Sequence, residues 1–150
     1  MKAYERGFTL IELIVVIGVL LLLAGAAAPI YGNFQVRTQI REATTTVVTS
    51  LRNARERSVA RIDDSTYGVY FASGSSEVVL FKGDSYAGRD QNYDEIYPIT
   101  SSLTMSSTFT ADAITFTKGL GIASEGGGVV ISSSAESSTV SVNDKGVVSY

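Results

Sequence analysis

The chain has 150 residues, enough for one domain with a modest core, and it contains neither Cys nor His. Disulfides, thiolate metal sites and catalysis by a Cys or His side chain are therefore excluded. Residues 37–61 have a net charge of +4 and residues 62–150 a net charge of −7, so an acidic C-terminal part follows a basic segment and should repel polyanions such as DNA.

The N-terminal segment combines a short charged leader with a long apolar run. Residues 13–31 contain no charged side chain, and a helix of that length matches the thickness of a bilayer core. Lys2 and Arg6 precede the run and predict that the N-terminal end stays in the cytoplasm. We therefore predict a transmembrane helix that contains this run, after a short polar head at residues 1–7; the resemblance described below implies that the head is a leader and that the helix occupies residues 8–31.

Three kinds of processing are compatible with this segment. A secretory signal peptide would be cut after Ala28, but Pro29 would then follow the cleavage site, and a signal sequence has no need of a carboxylate at Glu12. A plain single-pass anchor explains the apolar length but not Glu12, because a carboxylate near lipid costs a few kcal/mol. The third kind cuts the chain before the apolar run, and it gives Glu12 a role.

The stretch 6–13, Arg-Gly-Phe-Thr-Leu-Ile-Glu-Leu, resembles the prepilin processing motif of type IV pilins and type II secretion pseudopilins. The resemblance implies cleavage after Gly7 by a membrane-bound prepilin peptidase and N-methylation of Phe8, the new first residue. It also implies that the helix of residues 8–31 forms the core of a filament with copies of itself or with other pilins. An inner-membrane assembly platform and a cytoplasmic ATPase would drive that assembly.

Glu12 takes the fifth position of such a mature chain, where this family has a glutamate. A carboxylate and an ammonium are each costly in apolar surroundings and much less so together. Within one chain Glu12 lies one helical turn from Phe8, whereas the resemblance implies a pair with the amine of a neighbouring subunit. Such a pair would fix the axial stagger of helices that otherwise slide. The alternative is a Glu12 side chain that only extends to the membrane surface.

Gly25 and Pro29 interrupt the helical run. Pro29 removes a backbone donor and its ring clashes with the carbonyl one turn back, near Gly25, so we expect a bend or local unwinding there. The resemblance implies that this region melts when subunits enter the filament. Close packing of small residues between helices is the alternative use.

Apolar side chains then recur at three-to-four spacing, which predicts that an amphipathic helix occupies residues 32–62 and ends near Arg61. The predicted inward positions are Ile40, Ala43, Val47, Leu51, Ala54 and either Ser58 or Val59. Arginines flank this stripe at Arg37, Arg41, Arg52, Arg55 and Arg61. They form either a solvated face or a basic face that meets the acidic parts of adjacent subunits.

Residues 63–150, which we call the head, contain short strands separated by turn residues. The predicted strands are residues 66–71, 77–81, 96–99, 113–118, 129–132, 139–142 and 147–150. The first two form a hairpin around residues 73–76, and Pro98 places the third at a sheet edge. The predicted fold class is α+β, with a long N-terminal helix packed on a C-terminal antiparallel β-sheet.

Two shorter stretches, 50–55 and 140–148, resemble the H-type minor pseudopilins and their DNA-uptake relatives. The members that bind DNA have arginines around the glycine of the final hairpin, whereas Val147, Val148 and Ser149 follow Gly146 here. With the acidic head, this makes nucleic acid an unexpected partner. The alternatives to a main filament subunit are a minor pseudopilin of a type II secretion system and a minor pilin for adhesion or DNA uptake, with tyrosines such as Tyr86 at the surface.

One loop is a candidate metal site, because Asp90, Asn92 and Asp94 alternate like the first half of a calcium-binding loop. Glu95 stands where that loop has a glycine, so a solvated loop is the preferred interpretation and calcium the one cofactor to consider. We recognise no catalytic cluster and expect no enzyme. The resemblance implies a bacterial inner-membrane protein whose head lies outside the cytoplasm, and which later enters an extracellular pilus or a periplasmic pseudopilus.

Overall fold

The structure, a computed structural model, describes residues 7–73 and 76–150, and it describes only the backbone of residues 26–33. It divides into two compact units, Met1–Gln35 and Val36–Tyr150. The predicted leader, with Lys2 and Arg6, lies outside the described residues except for Gly7, and so do two residues of the predicted hairpin turn, 74 and 75.

The first element is the helix α1 (Leu10–Val59). Its backbone is helical at Gly25 and Pro29, so the local unwinding predicted there is absent from this subunit and stays a prediction for an assembled filament. Within the part of the chain that is described, no helix has both the length and the hydropathy needed to cross a membrane. The helix ends shortly before Arg61, whose left-handed backbone (φ 53°, ψ 39°) a right-handed helix cannot include.

The buried face of α1 in the second unit is the one that the spacing predicts. Five predicted inward positions are buried: Ile40, Ala43, Val47, Leu51 and Ala54. At the last position the buried side chain is Ser58, whereas Val59 is 42% exposed. The 3.6-residue period therefore identified the core face of this helix correctly.

The rest of the described chain is mainly β-structure. Its strands are β1 (Tyr67–Phe71), β2 (Glu77–Lys82), β3 (Glu95–Pro98), β4 (Thr104–Ser107), β5 (Ala113–Phe116), β6 (Gly127–Ser132), β7 (Ser137–Val142) and β8 (Val148–Ser149). Single turns of 3₁₀ helix lie at Ile62–Asp64, Gln91–Tyr93 and Thr110–Asp112. All strand pairs are antiparallel.

The α+β fold class is confirmed, but the strands form two sheets where one was expected. The first sheet has the order β3-β2-β1-β5 and the second has the order β4-β6-β7-β8. The chain changes sheet because β4 pairs with β6, while β5 returns to pair with β1. Pro98 ends the edge strand β3, as predicted. Buried side chains of α1 and of both sheets form one core.

Candidate assembly site

The first unit presents an apolar helix whose side chains are exposed. The large apolar side chains from Phe8 to Leu23 are between 48% and 91% exposed. A helix that is apolar on all sides normally lies inside protein or lipid, and an exposed apolar surface of this extent marks an interaction site. Glu12 is the one charged side chain in the sequence between Gly7 and Val36.

Glu12 and Thr9 together cap the start of α1. The Oε2 atom of Glu12 accepts hydrogen bonds from the N–H of Thr9 at 3.0 Å and from its hydroxyl at 2.9 Å, and the N–H of Glu12 donates to Thr9 Oγ1 at 3.4 Å. This reciprocal arrangement is a capping box, which satisfies two N–H groups at the start of a helix. The spacing Thr9-x-x-Glu12 before an apolar run is its sequence signal, and the prediction for Glu12 did not include it.

The predicted cleavage site lies just before this cap, outside any helix or strand. Gly7 and Phe8 are both exposed and outside α1. Among the atoms that the structure describes, none lies within 4 Å of a Cβ built at Gly7, and the same holds at Gly25. The subunit's own packing therefore does not require a glycine at either position. Any requirement for glycine there must come from another molecule, such as a processing enzyme or a neighbouring helix.

The residues of the candidate calcium loop do not converge on a common point. The Asp90 carboxylate accepts hydrogen bonds from the backbone and side-chain N–H groups of Asn92, at 3.1 and 3.0 Å. Both carboxylate oxygens of Asp94 accept from the Nε atom of Arg89, at 3.0 and 2.8 Å. No group of three acidic side chains in the described ranges is placed to hold a metal ion. Calcium binding by this loop therefore stays a prediction.

Aromatic stacking packs the same loop against the first sheet. The ring of Tyr86 lies 3.7 Å from that of Tyr70, and the guanidinium of Arg89 lies 3.7 Å from the Tyr86 ring centroid. Both faces of Tyr86 are thus in contact with other side chains of the head. Tyr86 packs the loop, and it offers no free ring face for adhesion.

Arg57, which the predicted basic face did not include, joins α1 to the edge of the first sheet. The Nη1 atom of Arg57 lies 2.7 Å from Glu95 Oε1, and the hydroxyl of Tyr97 donates to Glu95 Oε2 at 2.8 Å. The hydrogen bond from Arg57 lowers the pKa of Glu95, and the same bond raises the pKa of Arg57. Burial and the hydrogen bond to Glu95 raise the pKa of Tyr97. This group is internal to the subunit.

Four arginines of the predicted basic face lie beside the second sheet. Arg37 Nε lies 3.4 Å from Glu136 Oε2, with the two side chains 74% and 45% exposed. Arg52 lies 5.9 Å from the ring centroid of Tyr150, and Arg55 donates to the carbonyl of Gly121 at 3.1 Å. Arg41 is exposed and has no acidic partner among the described residues. Much of the predicted basic face therefore remains available to a second molecule.

Comparisons with known proteins agree with this geometry. A family model described as the prokaryotic N-terminal methylation motif matches residues 2–28. A fimbrial protein of Pseudomonas aeruginosa is 31% identical over 116 residues, which cover 71% of this chain and 73% of that protein. The chain belongs to the type IV pilin and pseudopilin family. The family consists of structural pilins that assemble with one another into filaments.

Two further relatives extend the comparison for this pilin. The type IV major fimbrial protein FimA of Dichelobacter nodosus is 45% identical over 42 residues, 28% of this chain, and the match covers about a quarter (26%) of the FimA length. The crystal structure of the type IV minor pilin FimU of Pseudomonas aeruginosa superposes with a TM-score of 0.62 and 14% identity, covering 77% of this pilin and 90% of that chain. The second likeness confirms the pilin fold.

Proposed function

We propose that this pilin is a structural subunit of a type IV pilus-like filament, cut after Gly7 by a prepilin peptidase and polymerised through its N-terminal helix. The observation that carries the proposal is the exposed apolar surface of α1 between Phe8 and Leu23, with Glu12 as its one charge. Lipid covers such a surface before assembly, and the helices of other subunits cover it afterwards. The subunit thus waits in the inner membrane, with its head outside the cytoplasm, until the assembly platform engages it.

The proposed chemistry of assembly centres on Glu12. Hydrolysis of the Gly7–Phe8 peptide bond releases the leader and leaves a protonated amine on Phe8, which is then N-methylated. In the uncut chain the Glu12 carboxylate is held by Thr9 at the start of α1. On assembly it pairs with the Phe8 ammonium of a neighbouring subunit. Because either ion alone costs several kcal/mol in an apolar core, the pair selects one axial offset between helices.

The processing step is tested with Gly7→Val. No atom of the described residues lies within 4 Å of a Cβ at this position, so the variant should fold normally, and its effect reports recognition by the peptidase. We expect the full-length chain to accumulate in the membrane, as measured by intact mass. Gly18→Ala is the matched control, because a Cβ there also meets nothing within 4 Å, and it should be cut normally. Normal cleavage of Gly7→Val would contradict the proposed site.

The assembly step is tested with two changes of one residue, Glu12→Ala and Glu12→Gln. Glutamine can replace glutamate in a capping box but cannot form the ion pair, so the two variants separate capping from charge. We expect both to be processed and both to lose sheared filaments, as measured by electron microscopy. Thr9→Ala is the control, since it weakens the cap by about 0.5–2 kcal/mol but keeps the carboxylate. Normal filaments from Glu12→Gln would refute the pairing.

A second candidate function is that of a minor pilin, located at a filament tip or in a secretion pseudopilus. The fold similarity to a minor pilin supports it. Abundance separates the two candidates, because a main subunit forms the bulk of purified fibres whereas a minor one is present at trace levels. Quantitative mass spectrometry of sheared fibres measures this ratio. The net charge of −7 over residues 62–150 argues against DNA as the ligand of either form.

A further inference from the structure

The second unit has a basic groove between α1 and β7. The groove has a volume of about 410 Å³, and we call it the arginine groove. The residues used to define it are Arg37, Arg41, Thr45, Glu136, Ser138 and Tyr150. Its basic side chains lie four residues apart on α1 and so share one face of the helix. The single acid paired with Arg37 leaves the charge of Arg41 unneutralised.

A second basic cleft continues along the same side of α1. Its volume is about 260 Å³, and Arg52, Arg55, Glu56 and the turn before β8 line it. Helix geometry places Arg52 and Arg55 within about 60° of Arg37 around the helix axis. Arginines therefore line this side of α1 along much of the second unit. Four arginines against Glu136 and Glu56 leave this surface with a net positive charge, and such a surface attracts a partner of the opposite sign.

The head itself contains a segment of matching chemistry, the loop of residues 83–94 between β2 and β3, which we call the acidic loop. Asp84 accepts a hydrogen bond from the Thr66 hydroxyl at 2.6 Å, and Asp90 accepts from Asn92. Both carboxylates are exposed, and neither has a basic partner among the described residues. Arg89 already forms an ion pair with Asp94, and its Nε atom lies 2.8 Å from Asp94 Oδ2. The acidic loop thus presents two free negative charges.

Several side-chain contacts pack the acidic loop against the first sheet. Stacking of Tyr86 between Tyr70 and Arg89, and the bidentate contact of Arg89 with Asp94, fix it to the first sheet. Arg89 and Asp94 side chains are only 16% and 13% exposed. A loop fixed before binding loses little conformational entropy when it binds. The stacking that packs the loop against the first sheet thus also keeps it in place for docking.

We propose that the arginine groove of one subunit binds the acidic loop of a second copy of this chain, and the inference rests on the proposed filament function. The two surfaces share no residues, so the contact is heterologous, and a heterologous contact whose rotation does not close into a ring repeats into an open helical assembly. Single exposed ion pairs are weak. In a filament, however, the N-terminal helices already hold neighbouring copies at high effective concentration, so weak contacts suffice to set how the heads pack.

Charge reversal in the full-length chain tests the contact. Arg41→Glu changes an exposed side chain, and Asp90→Lys places the opposite charge on the acidic loop of every copy. We expect Arg41→Glu to lower the pelletable filament fraction about fivefold at low salt, and the double variant Arg41→Glu/Asp90→Lys to restore most of it. High salt should reduce the difference between Arg41→Glu and the wild type, because it screens exposed charges. Arg41→Gln should have a smaller effect of the same sign.

Matched controls make the outcomes distinct. Lys145→Glu reverses an exposed charge that lines neither cleft, and it should leave assembly unchanged. Glu77→Lys makes the same change as Asp90→Lys at a site outside the acidic loop, and it should not rescue Arg41→Glu. Filaments of Arg41→Glu that match the wild type at every salt concentration would overturn the contact while leaving the proposed function intact.

Three other outcomes also decide whether the arginine groove binds the acidic loop. Rescue by Glu77→Lys as well as by Asp90→Lys would show a general charge effect and overturn the assignment to the acidic loop. Arg41-dependent binding of a short DNA duplex, without any effect on assembly, would assign the groove to a polyanion instead. A wild-type chain that is processed but never forms filaments would overturn the proposed function, and this contact with it.

Discussion

Ser58 joins the end of α1 to the first sheet, and Ser58→Ala tests how much this junction stabilises the second unit. The side chain is fully buried. Its hydroxyl oxygen accepts a hydrogen bond from the Tyr67 N–H at 2.9 Å and donates to the Tyr67 carbonyl at 3.4 Å. The main-chain carbonyl of Ser58 also accepts from the Gly119 N–H at 2.8 Å, and this bond survives the substitution. The variant therefore removes two side-chain hydrogen bonds between α1 and β1.

The expected loss of stability follows from the buried N–H of Tyr67, which loses the Ser58 hydroxyl as its acceptor. A buried polar group left without its partner costs about 1–3 kcal/mol. Alanine has a better helix propensity than serine by about 0.5 kcal/mol, which offsets part of the loss. We expect the free energy of unfolding to fall by about 1–2 kcal/mol, and Tm to fall by roughly 5–10 °C for a unit of this size.

Ser50→Ala is the matched control, because Ser50 is also buried, at 1% exposure. Its hydroxyl donates to the Val47 carbonyl of the same helix at 2.9 Å, so no bond to another element is lost. We expect its free energy of unfolding to stay within about 0.5 kcal/mol of the wild type or to rise. Far-UV circular dichroism of the detergent-solubilised chain measures both unfolding transitions. Equal losses for Ser58→Ala and Ser50→Ala would refute the reasoning.

Three further changes test other parts of the molecule. Arg57 lowers the pKa of Glu95, so the ion pair stabilises the fold above about pH 4.5, and this contribution is lost as the pH falls through the lowered pKa. Glu95→Gln should therefore flatten the acid limb of a Tm-against-pH curve, and only slightly, since the pair is partly exposed. An unchanged curve would contradict this. Gly68→Ala would place a Cβ 2.5 Å from the ring of Phe81. We expect it to lower the free energy of unfolding of the second unit by about 1–3 kcal/mol, as measured by denaturant unfolding. A variant as stable as the wild type would show that β1 can shift. Pro29→Ala should stabilise the helix by roughly 3 kcal/mol and should make single filaments stretch less under force. Variant filaments that extend as far as wild-type filaments would argue against melting at this site.

The sequence predicted α1 well because a single period governs it. The spacing of Ile40, Val47 and Leu51 depends only on helix geometry, and all three are buried. The last turn was ambiguous between Ser58 and Val59, since hydrophobicity favours valine. The structure buries the serine because Tyr67 supplies both a donor and an acceptor for its hydroxyl. That contact depends on tertiary structure, so no local sequence pattern predicts it.

The strands were harder to predict where serine replaces apolar residues. β4 (Thr104–Ser107) was missed because Met105 is its one buried side chain, and serine has little strand preference. The pairing of β4 with β6, which creates the second sheet, joins segments more than twenty residues apart. Sequence patterns show which face of a strand is buried, but they do not show its partner.

The candidate site also contains residues that the sequence predicts and residues that only the structure reveals. Gly7, Phe8 and Glu12 could be named because their motif is local and continuous in sequence. The capping role of Glu12 was equally local and was overlooked, since Thr9 stands at the expected spacing. The arginine groove needed the structure, because Arg41 borders β7 only after the second sheet has formed.

Processing before assembly is the central claim, and the N-terminus of the protein in purified filaments tests it most directly. Mass spectrometry of the first peptide should find Phe8 as the first residue, with one methyl group on its amine. A chain that still begins at Met1, or one that begins at Pro29 without the apolar helix, would contradict the claim.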